Sequence, residues 1–184
     1  MTLAYSPCPN DTFIFTPWVE GMIQGAPAVV ERLDDIETLN RAALAGEVDV
    51  AKVSFHAYGH LRERYCLLRS GGALGRGCGP LVVAREPFDG RELAHKTVAI
   101  PGKLTTAALL VRLFAPELRD ENVRVMPFHE IMAAVRDGRV DAGVIIHESR
   151  FTYPRYGLSQ VVDLGEWWER ETGRAIPLGG IAMR

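Results

Sequence analysis

The chain has no apolar run approaching the ~20 residues that a membrane-crossing helix needs, so no membrane span is expected. It has no excess of charge. Its 21 basic and 23 acidic residues leave a formal −2, which offers no electrostatic footprint for nucleic acid or an anionic membrane surface. Cysteine is scarce: Cys8, Cys66 and Cys78 are three, widely spaced and without a Cys-x-x-Cys, which argues against a disulfide framework and a structural zinc site. The five histidines form no His-Glu-x-x-His. His56 and His60 lie four apart and can share a helix face, but no third ligand accompanies them, and no metal is expected. Gly-x-x-x-x-Gly-Lys and Gly-x-Ser-x-Gly are both missing, which disfavours a P-loop and a hydrolase elbow. The opening Met1-Thr-Leu-Ala-Tyr5-Ser-Pro7 lacks the basic and long apolar regions of a secretory signal, so a cytoplasmic protein is the expectation.

What is present can build a real core: 184 residues, 47% of them hydrophobic, suffice for one large or two small domains. The most informative stretch is Asp141-Ala-Gly-Val-Ile-Ile-His147-Glu-Ser-Arg150, a buried strand delivering a histidine to its own carboxyl edge. Ligands of open α/β sheets bind beyond that edge, and a histidine there can move a proton near neutral pH. Read alone, it serves equally as a residue that merely ends a strand.

One local plan recurs. Thr2–Tyr5 begins as a strand, and Asn10 or Asp11 can cap the helix that follows over Phe13–Val19. Lys96–Ile100 is again a strand, followed by the turn Pro101-Gly-Lys103 and a helix opening at Leu104-Thr105-Thr106. Helical Thr38–Leu44 leads through Gly46 and Asp49 into Val50–His56, and helical Glu130–Arg136 leads through Gly138 and Asp141 into the strand ending at His147. Each glycine suits a helix C′ position with positive φ. Two such units predict two α/β lobes facing each other across a cleft: residues 1–83 as lobe 1, 84–176 as lobe 2, and 177–184 as a return crossing into lobe 1. Ser70–Gly79 reads as a flexible glycine-rich loop before the outward crossing, Gly79–Arg85.

Gly102-Lys-Leu-Thr105-Thr106 is the best anion site, since a helix N-terminus offers free N–H groups and the threonine hydroxyls add donors. The alternative is two ordinary capping threonines. Ser54 adds a hydroxyl at a strand end in the opposite lobe, while Lys52 falls mid-strand, where it can simply face solvent. Cys8 precedes a helix N-terminus that could activate it, but flanking prolines favour a structural role. Trp167-Trp168 suits a pocket wall and a core equally.

Ser6-Pro-Cys-Pro-Asn10-Asp11-Thr-Phe-Ile-Phe15, Lys52-Val-Ser-Phe-His-Ala-Tyr58, Ile100-Pro-Gly-Lys-Leu-Thr-Thr-Ala107, Gly143-Val-Ile-Ile-His147-Glu-Ser-Arg-Phe-Thr-Tyr153 and Asp163-Leu-Gly-Glu-Trp-Trp-Glu169 run in order along the chain. Together with Ile176–Gly180 they resemble the 1,4-dihydroxy-6-naphthoate synthases of the futalosine route to menaquinone. The resemblance implies an α/β, bilobal type 2 periplasmic-binding-protein-like fold with a central cleft. The C-terminal part of lobe 1 would lie beyond Arg184, and a complete chain would be a monomer. It implies a cofactor-independent carbon–carbon lyase acting on cyclic dehypoxanthine futalosine, a small-molecule substrate bearing a carboxylate. His147 would be the base, and Lys52, Val53, Ser54, Thr105, Thr106 and Asn10 would hold the substrate. Chorismate dehydratase of the same pathway and a non-catalytic small-carboxylate-binding protein are the competing readings.

Overall fold

The computed structural model describes residues 1–184. The elements in chain order are β1 (Thr2–Tyr5), α1 (Pro9–Val19), β2 (Val30–Leu33), α2 (Ile36–Ala45), β3 (Val50–Ser54), α3 (Phe55–Leu61), β4 (Cys66–Leu67), β5 (Ala73–Gly75) and β6 (Leu81–Ala84). They continue with β7 (Val98–Ile100), α4 (Thr106–Phe114), β8 (Val123–Val125), α5 (Phe128–Arg136), β9 (Ala142–Ile145), α6 (Ser149–Thr152), β10 (Ser159–Asp163), α7 (Leu164–Thr172) and β11 (Ile176–Met183). The chain divides into two compact units. The first comprises Met1–Ala73, Leu104–Thr106 and Pro177–Arg184, and the second Leu74–Lys103 and Ala107–Ile176.

The sheet of the first unit runs β2-β1-β3-β11-β4, with the short β5 off that path. β1 is parallel to β2 and β3, whereas β11 is antiparallel to β3. Apolar residues cover both faces, as strands flanked by helices on each side require. Ala4, Ala51 and Val53 pack with Leu39, Ala43 and Leu61 of α2 and α3. Leu3, Tyr5 and Val50 point the other way, towards Phe15 of α1. The period-2 alternation of a strand then sends Lys52 to the same face as Val50, which decides its partner.

The second unit repeats the order as β8-β7-β9-β6-β10. β7 is parallel to β8 and β9, and β6 is antiparallel to β9. Ile131, Ala134 and Val135 of α5 pack on Leu81, Val83, Ala99 and Ile145. Gly143 must be a glycine, because a Cβ there would fall 2.4 Å from Cγ2 of Ile131.

The repeat legible in the sequence extends to hydrogen bonds. Asp49 accepts the N–H of Thr2 at 2.8 Å, and Asp141 accepts that of Thr97 at 2.7 Å, so each carboxylate ties the start of one parallel strand to its neighbour. The Thr97 hydroxyl adds a second bond, and both hold the Asp141 carboxyl below the usual carboxylate range. Gly46 and Gly138 follow α2 and α5 with φ of 74° and 73°, a region open to glycine without steric cost.

Two local expectations fail. The N-cap of α1 is Cys8, with no side-chain bond, and not Asn10 or Asp11. Pro9 occupies the first helical position, where its missing N–H is harmless, and this pushes Asn10 and Asp11 into the first turn. The glycine-rich stretch 70–79 is also not wholly loop, since it contains β5.

Candidate active site

β1 and β3 run parallel, so Tyr5 and Ser54 finish at one edge of the first unit's sheet, where crevices for ligands form. Lys52 does not face solvent. Its ammonium is buried, donating to Oδ1 of Asp11 at 2.9 Å and to the carbonyl of Gly71 at 3.4 Å. The other Asp11 oxygen accepts the Ser6 hydroxyl at 2.7 Å and the Ser6 N–H at 3.3 Å. Asp11 is thus the hub that closes the Ser6-Pro-Cys-Pro turn onto β3. Sequence reasoning treated it only as a cap, because its partner lies 41 residues away. An ammonium has three donors, and two of them are used here.

Ser54 is governed by Asn40, a residue of α2 that is 0% exposed. The Asn40 carboxamide oxygen accepts the Ser54 N–H at 2.9 Å, and its Nδ2 donates to the Ser54 Oγ at 3.1 Å. With its oxygen accepting, the Ser54 hydroxyl is left to act as a donor. Val53 buries its side chain completely and pairs with Gly180 across β11, so only its main chain can meet a ligand. Asn10 is exposed in the first turn of α1, and no hydrogen bond links it to Lys52, Ser54 or the threonine pair.

The segment Leu104–Thr106 groups with the first unit. Its Leu104 N–H donates to Oε2 of Glu37 at 3.1 Å, and the Leu104 carbonyl accepts from Nδ2 of Asn40 at 3.3 Å. The Thr105 carbonyl lies 3.2 Å from Nδ1 of His56. The Thr106 hydroxyl donates to the carbonyl of Leu178 at 2.8 Å, so its hydrogen is not directed at a ligand as the sequence suggested. Both threonines are buried, and Thr106 is the first residue of α4.

In the second unit β9 stops at Ile145, two residues before His147, which sits exposed in the following turn rather than in the strand. Its φ is 53°, the one positive value at a residue other than glycine. The Phe128 ring meets the imidazole edge-on, with centroids 5.9 Å apart. The turn is closed by the Arg150 N–H donating to the His147 carbonyl at 3.2 Å. The Arg150 side chain donates to the carbonyl of Gly79 at 2.9 Å and forms an ion pair with Asp163, the N-cap of α7. That hydrogen bond raises the arginine further above its ordinary range. Asp163 caps through its other oxygen, accepting from Gly165 and Glu166 at 2.8 and 3.1 Å. Sequence reasoning overlooked Asn40, Phe128, Arg150 and Asp163, although Arg150 stands three residues from His147. Trp167 packs edge-on against Phe114, and Nε1 of Trp168 is shielded without a partner.

The chain is 53% identical, over all 184 of its residues, to the 1,4-dihydroxy-6-naphthoate synthase of Thermus thermophilus. It is 51% identical to the protein of the same name from Streptomyces coelicolor. It spans 66% of the length of these curated relatives. Among solved structures, a protein from Archaeoglobus fulgidus matches with a TM-score of 0.90 at 39% identity, covering 100% of this chain and 67% of that one. The alkanesulfonate-binding protein of Xanthomonas axonopodis pv. citri, bound to MOPS, matches with a TM-score of 0.70 at 12% identity, covering 100% and 64%. The second likeness shows that the fold is the periplasmic-binding-protein-like α/β architecture. The family model described as menaquinone biosynthesis matches residues 1–184, and the chain belongs to that family.

Proposed function

We propose that the chain carries the substrate-holding groups and the base of a 1,4-dihydroxy-6-naphthoate synthase, a carbon–carbon lyase acting on cyclic dehypoxanthine futalosine. One observation carries the reading: a histidine displayed in a strained turn just past β9, in a chain 53% identical to a protein of that name. The first unit supplies donors suited to a carboxylate or hydroxyl, namely the Lys52 ammonium and the Ser54 hydroxyl, and Thr105 and Thr106 complete the substrate-holding set. Val53 contributes main chain only, and Asn10 an exposed carboxamide. As the base, His147 takes a proton from the carbon beside a carbonyl of the precursor. The resulting electron pair expels the sugar-derived fragment, and aromatisation of the new ring makes the step irreversible. A positioned base of this kind contributes roughly 10²–10⁴-fold. Every bond change is an elimination, so the reaction needs no redox cofactor. In this reading the substrate carries a carboxylate, and the protein acts as a monomer in the cytoplasm.

The experiment is incubation with cyclic dehypoxanthine futalosine, followed by mass spectrometry. Dihydroxynaphthoate is expected from the wild type and not from His147→Ala. A precursor that binds and returns unchanged overturns the lyase reading and favours a small-molecule binding protein, the class to which the alkanesulfonate-binding neighbour belongs.

A further inference from the structure

We propose that Arg150 and Asp163 are positioning residues for His147: their ion pair holds the turn that keeps this histidine in a left-handed backbone conformation beyond β9. The inference rests on the role given to His147 above, but its first test does not.

A left-handed φ is disfavoured for a residue with a Cβ, because it brings that carbon too close to the following carbonyl oxygen. Such strain survives only where the surroundings over-determine it. The turn cannot supply this alone. Only two local main-chain bonds close it, Arg150 N–H to the His147 carbonyl at 3.2 Å and Phe151 N–H to the Glu148 carbonyl at 3.0 Å, and α6 after it has four residues, too few to be stable by themselves. Phe151, within α6, is 78% exposed and adds no burial.

The restraint comes from the Arg150 side chain. Its planar guanidinium reaches out of the turn in two directions, to the Gly79 carbonyl and to Asp163, and two bonds from one rigid fork fix its orientation. One anchor belongs to a paired strand and the other adjoins one: Asp163 is the last residue of β10, opposite Leu81 of β6, and Gly79 stands two residues before β6. Asp163 cannot swing, because its second oxygen is occupied by the first turn of α7. Its side chain is 3% exposed and that of Arg150 19%, so water screens the pair poorly. Arg150 thus fixes the backbone of the turn to the sheet, while Phe128 limits the imidazole from the side.

The first test compares imidazole carbon–proton NMR signals of the wild type with those of Arg150→Met and Asp163→Asn, the His147 signal being assigned by its loss in His147→Gln. The His147 resonances are expected to move towards free-histidine values as the ring leaves the edge of Phe128, with the other four histidines unmoved. Asp163→Asn keeps an oxygen for the α7 cap and supplies the answer if Arg150→Met does not fold. An unmoved His147 signal in a folded variant overturns the proposal. In turnover, Arg150→Met is expected to lower kcat roughly 10- to 100-fold with KM within about threefold, the scale of an ångström of misplacement. In His147→Gly rescued by added imidazole, Arg150→Met should cost less than about twofold, because the base is no longer tethered to the turn. An equal loss in both backgrounds shows that Arg150 does not act through His147 and overturns the proposal. If the wild type never converts the precursor, the lyase reading fails and the NMR comparison alone decides the positioning role.

Discussion

Removing the Asp11 carboxylate is the sharpest perturbation available in the first unit. The side chains of Asp11 and Lys52 are 8% and 9% exposed, and their 2.9 Å contact is shielded from bulk water. In Asp11→Ala the buried ammonium keeps only the long 3.4 Å bond to Gly71, and the Ser6 hydroxyl loses its 2.7 Å acceptor. Breaking a buried pair from one side costs about 3–5 kcal/mol, because a charge is left uncompensated. That is a large share of a total stability of roughly 5–15 kcal/mol. At about 2–4 °C per kcal/mol for a chain of this size, Tm should fall by roughly 6–20 °C. The double variant Asp11→Leu with Lys52→Met removes both charges, and its loss should be smaller than that of either single variant. Urea unfolding of the wild type, Asp11→Leu, Lys52→Met and the double variant, followed by circular dichroism and tryptophan fluorescence, measures the cycle, with Asp11→Ala unfolded alongside. A loss below about 1 kcal/mol in Asp11→Ala, the range of an exposed pair, would refute the reasoning.

Other consequences follow from the same contacts. Asn40→Leu strands the Ser54 N–H and removes two further bonds, so it should cost about 1–3 kcal/mol in urea unfolding per orphaned group. Gly143→Ala drives a methyl into Ile131 and Val135, and a loss of about 1–3 kcal/mol in the same assay is expected, as for overpacked cores. His147→Gly abolishes turnover yet should raise Tm, because glycine relieves the strain at φ 53°; a lower Tm counts against strain. The Asp141 carboxyl is depressed in the folded state by Thr97, so its contribution is fully present above the unfolded value of about 3.9 and is lost as pH falls through the folded value. Thr97→Val should therefore move the Asp141 NMR titration midpoint upwards and make the protein less acid-sensitive; an unmoved midpoint denies the hydroxyl its role.

Much of the backbone was legible in the sequence. Buried strands at Val50–Ser54 and Ala142–Ile145, the helices before them and the glycines between follow from apolar runs and the φ demands of a helix end. The matched Gly46–Asp49 and Gly138–Asp141 signals announced two similar units, and the hydrogen bonds of Asp49 and Asp141 show how far the likeness goes. The cap of α1 was misread because a proline at the first helical position outranks a good capping residue one step later. The burial of Lys52 was not legible, because a lysine amid valines can equally face solvent until its counter-ion is known.

By itself, then, the sequence determined the elements, their repetition and the family, since these depend on local pattern and on motifs read in order. Tertiary structure alone decided the company each polar group keeps. Lys52 meets Asp11 across 41 residues, Leu104 meets Asn40 across 64, and Arg150 meets Gly79 across 71. Such meetings depend on strand order and on which face of each strand is buried. A single residue's identity carries neither, which is why the histidine was visible in the sequence and the ion pair that restrains it was not.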